Sequence, residues 1–295
     1  MKYSDYYEGF RKRLLAIGQD ENEARAEIEL LKEYISGIGP AEWFLRREKD
    51  IPEEEISKLE EISHRLETSE PIDYIIGRRW FCGLEFLVDK STLIPRQETE
   101  ILVEECVKTL SKMASDREKL NVFDLCTGSG CIIISIALLL KQSDPAAYKK
   151  TVFMASDISA SALNIARQNA EKLGADVNFF ESDMFEAVQK PENGFDLIVS
   201  NPPYIPDSEL GKLDTRVTGF EPHAALFGGE DGLEFYRIIA KDAQKYLNKG
   251  GRLLLEIGFD QGNSVPLLLG DEDYENIIVK KDYAGQDRIV AAFRK

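Results

Sequence analysis

Two histidines, His64 and His223, are all that the 295 residues contain, so mechanisms that need an imidazole base or a histidine-built metal centre have little to draw on. The four cysteines, Cys82, Cys106, Cys126 and Cys131, show neither metal-ligand spacing nor a Cys-x-x-Cys pair. They read as buried reduced thiols, and no metal is expected. Positive charge is short as well: 37 Lys and Arg stand against 53 Asp and Glu, a formal net charge of −16. A chain whose affinity came from neutralising phosphates would carry a basic stripe. No direct nucleic-acid partner is therefore expected, although Arg46-Arg47 or Arg78-Arg79 could touch isolated phosphates. No apolar run approaches the length of a membrane span, and Met1-Lys2-Tyr3-Ser4-Asp5 opens without a hydrophobic leader core. The expectation is a cytoplasmic protein with no membrane partner.

What the chain does have is enough length and apolar content for two domains and a substantial core. Up to about Asp73 it reads as helices throughout. Tyr3, Tyr7, Phe10, Leu14 and Ile17 recur at helical spacing before Gly18, and Ala24, Ile28, Leu31 and Ile35 before Gly37. A short helical turn carrying Trp43 and Phe44 follows Pro40, and Pro52 opens a segment with Ile56, Leu59, Ile62 and Leu66 inward. Residues 1–75 hold eleven Lys and Arg against nineteen Asp and Glu, which is either a set of solvated helix faces or a docking module for a protein partner. The run Trp80-Phe81-Cys82-Gly83-Leu84-Glu85-Phe86-Leu87-Val88 then predicts a β-hairpin. Three parts are expected: a helical bundle over 1–75, a hairpin linker over 76–92, and an α/β domain over 93–295. In the last, Thr99 is placed to cap a helix with Leu102, Val103, Cys106, Val107 and Leu110 inward.

From Leu120 strands and helices alternate, the pattern of a doubly wound parallel sheet. The strand Val122–Leu125 runs into Asp124-Leu125-Cys126-Thr127-Gly128-Ser129-Gly130 and then directly into an apolar helix, so backbone amides can approach a ligand above the helix N-terminus. The dinucleotide fingerprint is not met, because its third glycine would fall at Ile133. The second strand ends at Asp157, placed to accept from ribose hydroxyls or, alternatively, to cap the next helix. After a third strand, Asp183 is placed to meet an adenine amino group and Met184 to cover its ring.

The strand Leu197–Val199 delivers Asn201-Pro202-Pro203-Tyr204 at its C-terminal end, the sheet edge at which ligands bind. Both Asn201 and Pro202 precede a proline and are held extended. The loop offers the Asn201 side-chain amide, the Pro202 carbonyl and the Tyr204 ring. Two acceptors beside a flat ring fit a planar NH₂ group, one acceptor for each hydrogen.

Taken in order, the Asp124–Gly130 turn, Asp157, Ser182-Asp183 and Asn201-Pro202-Pro203-Tyr204 resemble a class I S-adenosylmethionine-dependent methyltransferase that modifies planar nitrogens. Ile94-Pro95-Arg96-Gln97-Glu98-Thr99-Glu100 and Glu221-Pro222-His223-Ala224-Ala225-Leu226, with Gly228-Gly229 and Asp231-Gly232-Leu233, narrow the resemblance to the release-factor glutamine N5-methyltransferase family. The chain departs from it at Gln97, where the family usually has proline, and at Phe220, where tyrosine commonly precedes Glu-Pro. The resemblance implies a Rossmann-like, mostly parallel seven-stranded sheet whose last strand is antiparallel and inserted between its neighbours. It implies S-adenosyl-L-methionine as cofactor and S-adenosyl-L-homocysteine as product, and methylation of the glutamine amide in the Gly-Gly-Gln loop of class 1 peptide chain release factors. Carried over residue by residue, it gives the cofactor Cys126, Thr127, Gly128, Ser129, Gly130, Asp157, Asp183, Met184 and Asn201. The glutamine falls to Asn201, Pro202, Pro203 and Tyr204, with Asn201, Pro202 and Tyr204 in the catalytic role. Exocyclic adenine amines are also planar NH₂ groups, so an N6-adenine or related nucleic-acid methyltransferase is the alternative. A non-catalytic binding module that senses a nucleotide is a further one.

Overall fold

The computed structural model describes residues 1–37 and 40–295. Two compact units emerge: Met1–Arg78 together with Asp214–Phe220, and Arg79–Leu213 together with Glu221–Lys295.

The first unit is helical: α1 (Tyr3–Ala16), α2 (Glu21–Ser36), α3 (Pro40–Arg46), α4 (Glu53–Glu67) and α5 (Ile72–Ile76). Asp20 caps α2 by accepting from the Asn22 and Glu23 amides. The inward stripes of α1, α2 and α4 meet in one core built on Tyr7, Phe10, Leu14, Ile28, Leu31 and Leu59. Trp43 packs edge-on against both Tyr3 and Tyr7. Ile17, expected inward, is half exposed, because α1 ends at Ala16 and Ile17 lies beyond the last helical turn; Tyr6 takes a place in the core instead.

The second unit begins within a hairpin, β1 (Arg78–Phe81) and β2 (Leu84–Leu87), of which only Arg78 is counted with the first. Its two-residue turn puts Cys82 and Gly83 both at positive φ, 51° and 73°, the type I′ geometry that matches strand twist. Then come α6 (Glu100–Met113), β3 (Leu120–Leu125), α7 (Cys131–Ser143), α8 (Pro145–Lys150), β4 (Thr151–Asp157), α9 (Ala160–Leu173), β5 (Asn178–Glu181) and β6 (Phe195–Ser200). After α10 (Thr215–Phe220), which lies in the first unit, the unit is completed by α11 (Glu234–Tyr246), β7 (Leu247–Glu256), α12 (Ser264–Gly270), β8 (Tyr274–Lys281) and β9 (Asp287–Arg294).

The seven-stranded sheet has the order β5-β4-β3-β6-β7-β9-β8. All pairs are parallel except those of β9, which lies antiparallel between β7 and β8. Every residue of β3 and β6 is buried, which is why both are mostly apolar, and the polar residues among them, Asn121, Asp124, Asp196 and Ser200, are buried too. Apolar helices cover both faces, with Ile133, Ile136 and Leu140 of α7 in one core and Tyr236, Ile239 and Ala243 of α11 in the other. The chain winds outward from β3 through β4 to β5, then returns to β6 on the other side of β3. That reversal opens a crevice at the C-terminal ends of β3 and β6. Among the described residues no helix is long and apolar enough to cross a membrane.

Candidate active site

Sheet register decides what meets at that edge. Leu125 lies opposite both Ser156 and Ser200, and Ser200 opposite Leu255. The residues one step further along these parallel strands, Cys126, Asp157, Asn201 and Glu256, therefore emerge in a row. Cross-strand bonds hold the row: Ser200 Oγ donates to the Leu125 carbonyl at 2.6 Å, and the Thr127 amide donates to the Ser156 carbonyl at 3.0 Å.

A cavity of about 310 Å³ lies over this edge, within the size range of small-molecule sites. Cys126, Thr127, Gly128, Ser129, Asp157, Asp183, Met184, Asn201 and Pro203 lie on its wall. Gly130, Pro202 and Tyr204 do not. Gly130 instead closes the turn: at φ +78° it starts α7, and a Cβ there would sit 2.9 Å from Ile134 Cδ1 and 3.2 Å from Ala166 Cβ. At Gly128, φ +55°, a Cβ would meet nothing within 4 Å, so the space above its backbone is open to a ligand. The Gly128 amide donates to Asp157 Oδ2 at 2.8 Å, and Oδ1 accepts from the Ser159 amide at 2.9 Å. The cap of α9 is Ser159, whose side chain accepts from the Ala162 amide, and the Asp157 carboxylate keeps lone pairs for hydroxyl donors. Its pKa is raised, chiefly by burial.

Two non-glycine residues on the wall have left-handed backbones, Cys126 at φ 61° and Met184 at φ 43°. Strain of this kind costs about 1–3 kcal/mol per residue and gathers at functional sites. Their sulfurs lie 3.9 Å apart. Burial pushes the Cys126 thiol up, which leaves it protonated and unfit as a nucleophile. Asp124 beneath the turn is fully buried; Oδ2 accepts from the Thr127 hydroxyl at 2.6 Å, and Oδ1 has no partner among the described residues. Burial raises its pKa to about 7.

The opposite wall comes from two segments pinned together. The Ile94 amide donates to Glu221 Oε2 at 3.2 Å, and Arg96 donates to Glu221 Oε1 at 2.5 Å. Glu221 is therefore the anchor of a buried ion pair that joins the Pro95-Arg96 strap to the Glu221-Pro222 block. Gln97 opens a single 3₁₀ turn, Gln97–Thr99. Thr99 lies inside that turn with helical dihedrals and makes no capping bond to α6, contrary to the expectation for it. Its hydroxyl faces the site instead, accepting from Asn201 Nδ2 at 3.4 Å.

Asn201 Oδ1 and the Pro202 carbonyl accept no hydrogen bond from the described residues. The Tyr204 carbonyl accepts from Gln261 Nε2 at 3.0 Å, and burial pushes the Tyr204 phenol up to about 12. Sequence reasoning did not single out Asn169. This fully buried side chain accepts from the Leu87 amide at 2.6 Å and donates to the Leu87 and Ser129 carbonyls at 3.0 Å, fastening β2 to the glycine turn. Nothing in the helical pattern of α9 marks it apart from a polar residue at an inward position.

Comparison with known proteins adds two family models: "Methyltransferase small domain" over residues 99–215 and "PrmC N-terminal domain" over residues 6–77. Release factor glutamine methyltransferases from Geobacter sulfurreducens and Agrobacterium fabrum are 37% and 36% identical to this chain. The alignments cover 90% and 97% of it, and 88% and 94% of those proteins. The enzyme of that description from Bacillus subtilis is 36% identical over 95% of the chain and 93% of its own length. Among solved structures, the hMettl16 catalytic domain superposes with a TM-score of 0.51 at 15% identity, covering 72% of this chain and 76% of that one. This last likeness concerns the fold.

Proposed function

The chain belongs to the release factor glutamine methyltransferase family, and on that premise we propose that it methylates the side-chain amide nitrogen of the glutamine in the Gly-Gly-Gln loop of class 1 peptide chain release factors. What supports the reading most directly is a pair of oxygens that accept nothing from the described residues, Asn201 Oδ1 on the cavity wall and the Pro202 carbonyl one residue further along a loop stiffened by two prolines.

S-adenosylmethionine, when bound, supplies an electrophilic methyl on a sulfonium. The cavity suits such a ligand: Gly128 leaves its backbone open, Asp157 can accept from ribose hydroxyls, and Asp183 and Met184, on the cavity wall, would meet the adenine. The protein must present the nitrogen. An amide lone pair is delocalised into its carbonyl, and the described residues offer no strong base beside Asn201; the chain has only two histidines. The two oxygens each accept one N–H, fixing the NH₂ group in place, and they receive the positive charge that grows on nitrogen as its new bond forms. The proton leaves afterwards. The helical unit, Met1–Arg78 with Asp214–Phe220, is assigned to docking the release factor.

The test is incubation of the protein with a class 1 release factor and S-adenosylmethionine, followed by mass spectrometry of the peptide that holds the Gly-Gly-Gln loop. One methyl group on the glutamine nitrogen is the expected product. Methylation confined to nucleic acid, or none on this glutamine, overturns the reading.

A further inference from the structure

Glu256 is a deeply buried carboxyl in the row of residues at the active edge, and the reading above leaves it without a task. It ends β7, is 1% exposed, and its Oε2 has no partner among the described residues. Because Ser200 lies opposite Leu255 on adjacent parallel strands, Glu256 stands beside Asn201. Thr99 completes the group: its hydroxyl accepts from Asn201 Nδ2 at 3.4 Å, and both Thr99 and Asn201 act on the neighbouring Glu256 carboxyl, lowering its pKa.

This arrangement bears on a question the amide cannot settle alone. An asparagine side chain presents an oxygen in one orientation and an NH₂ in the other, with nearly the same shape. Only the oxygen can accept a hydrogen from a substrate NH₂. We propose that Glu256, acting through Thr99, is the positioning residue that fixes the Asn201 amide with Nδ2 inward and Oδ1 toward the substrate. The inference rests on the reading of Asn201 given above.

The logic follows from donor and acceptor counts. An ionised carboxylate only accepts, so the Thr99 hydroxyl must donate to it. The hydroxyl lone pairs then face Asn201, which can meet them only with Nδ2. A protonated acid reverses the chain: it can donate to Thr99, freeing that hydroxyl's hydrogen for Asn201 Oδ1, and the amide turns its NH₂ to the substrate, donor against donor.

Burial raises the Glu256 pKa to about 7, while Thr99, Arg288 and Asn201 pull it down and Glu98 pushes it up. Tyr204 lies nearby, and Tyr236 of α11 donates to the Glu256 main-chain carbonyl at 2.7 Å. Cys131 of α7 also feels the carboxylate. Within this set Glu256 is the group poised to titrate near neutrality. Since the carboxylate is the competent form, turnover falls as pH drops through that region.

The experiment compares kcat against pH, KM for both substrates and cofactor affinity by calorimetry for the full chain and for Glu256→Gln, Thr99→Val and Thr99→Ser. The expected result has two parts. Glu256→Gln lowers kcat by about 10- to 100-fold and removes the acid limb near neutrality, while cofactor affinity stays within a few-fold of the parent. Thr99→Val, which keeps the shape and loses the hydroxyl, shows a similar loss of kcat, and Thr99→Ser restores it. An acid limb that persists in Glu256→Gln, or parental kcat in Thr99→Val, overturns the proposal. So does a Thr99→Ser variant as impaired as Thr99→Val, because packing then accounts for the loss. Failure of the parent protein to methylate the glutamine would overturn the functional reading instead. The same variants measured on whichever planar amine takes the methyl would still decide the role of Glu256.

Discussion

Replacing Asn201 by alanine deletes one of the two oxygens assigned to the substrate amide and leaves the glycine turn and Asp157 untouched. An interaction that strengthens as charge develops contributes on the order of 10²–10³ in turnover when removed. Asn201→Ala is thus expected to lower kcat by about that much with cofactor affinity changed only a few-fold; unchanged kcat in steady-state assays would remove Asn201 from the mechanism. Asp124 gives a prediction of a different kind. Its folded pKa, about 7, lies above the ordinary 3.8, so between these values the folded chain binds a proton that the unfolded chain has released. Stability contributed by that proton is present at low pH and lost as pH rises toward 7. Melting temperature measured between pH 5 and 8 is expected to fall with pH, and Asp124→Asn, which is neutral throughout, to flatten the slope; an unaltered slope would locate it in another group. Residues of the two contiguous motifs were legible in the sequence because their chemistry is local: two prolines stiffen a loop, and two glycines expose backbone. That Thr99 and Glu256 meet at Asn201 was not legible, since it depends on strand register and on a 3₁₀ turn that gives Thr99, at the start of α6, helical dihedrals and no capping bond.

Among the elements, the glycine turn before α7 separates packing from binding. Gly130→Ala forces a Cβ against Ile134 and Ala166 at an already left-handed residue, and should destabilise the protein by about 1–3 kcal/mol. Gly128→Ala meets no protein atom and should cost about 1 kcal/mol of stability, but its Cβ enters the cavity. Cofactor affinity should then drop far more in Gly128→Ala than the melting temperature does, with the reverse for Gly130→Ala. Calorimetry and thermal denaturation on both variants check the contrast, and equal effects on both quantities would contradict the division of labour. The strands β3 and β6 could be read directly because burial on both faces leaves short, mostly apolar segments such as Leu197–Val199, and the antiparallel final strand followed from the family resemblance. Short helices escaped: α5 and α8 are five and six residues long, too short for a helical period to show itself.

At the scale of the molecule, the segment Asp214–Phe220 was not legible at all, for nothing in its composition says that a stretch between two motifs of the second unit belongs with the first. Its arginine supplies the reason. Arg216 pairs with Glu23 and, at 3.3 Å, with Glu27. Glu27 is buried and also accepts from Gln19 Nε2 at 2.7 Å. Burial raises the Glu27 pKa, and Arg216 opposes that shift. Removing the guanidinium therefore costs little while Glu27 is protonated and most once it is ionised. Arg216→Ala is expected to destabilise the chain by about 1–3 kcal/mol at pH 8 and by clearly less below the ordinary glutamate value of 4.5, read from denaturant unfolding at the two pH values. In the background of Glu27→Gln the pH dependence of that loss should shrink, because the charge that Arg216 serves is gone. A loss equal at both pH values, or unchanged by Glu27→Gln, would mean that Arg216 holds the segment through its aliphatic stem or through Glu23, and that the buried carboxylate is not what ties this part of the chain to the helical unit.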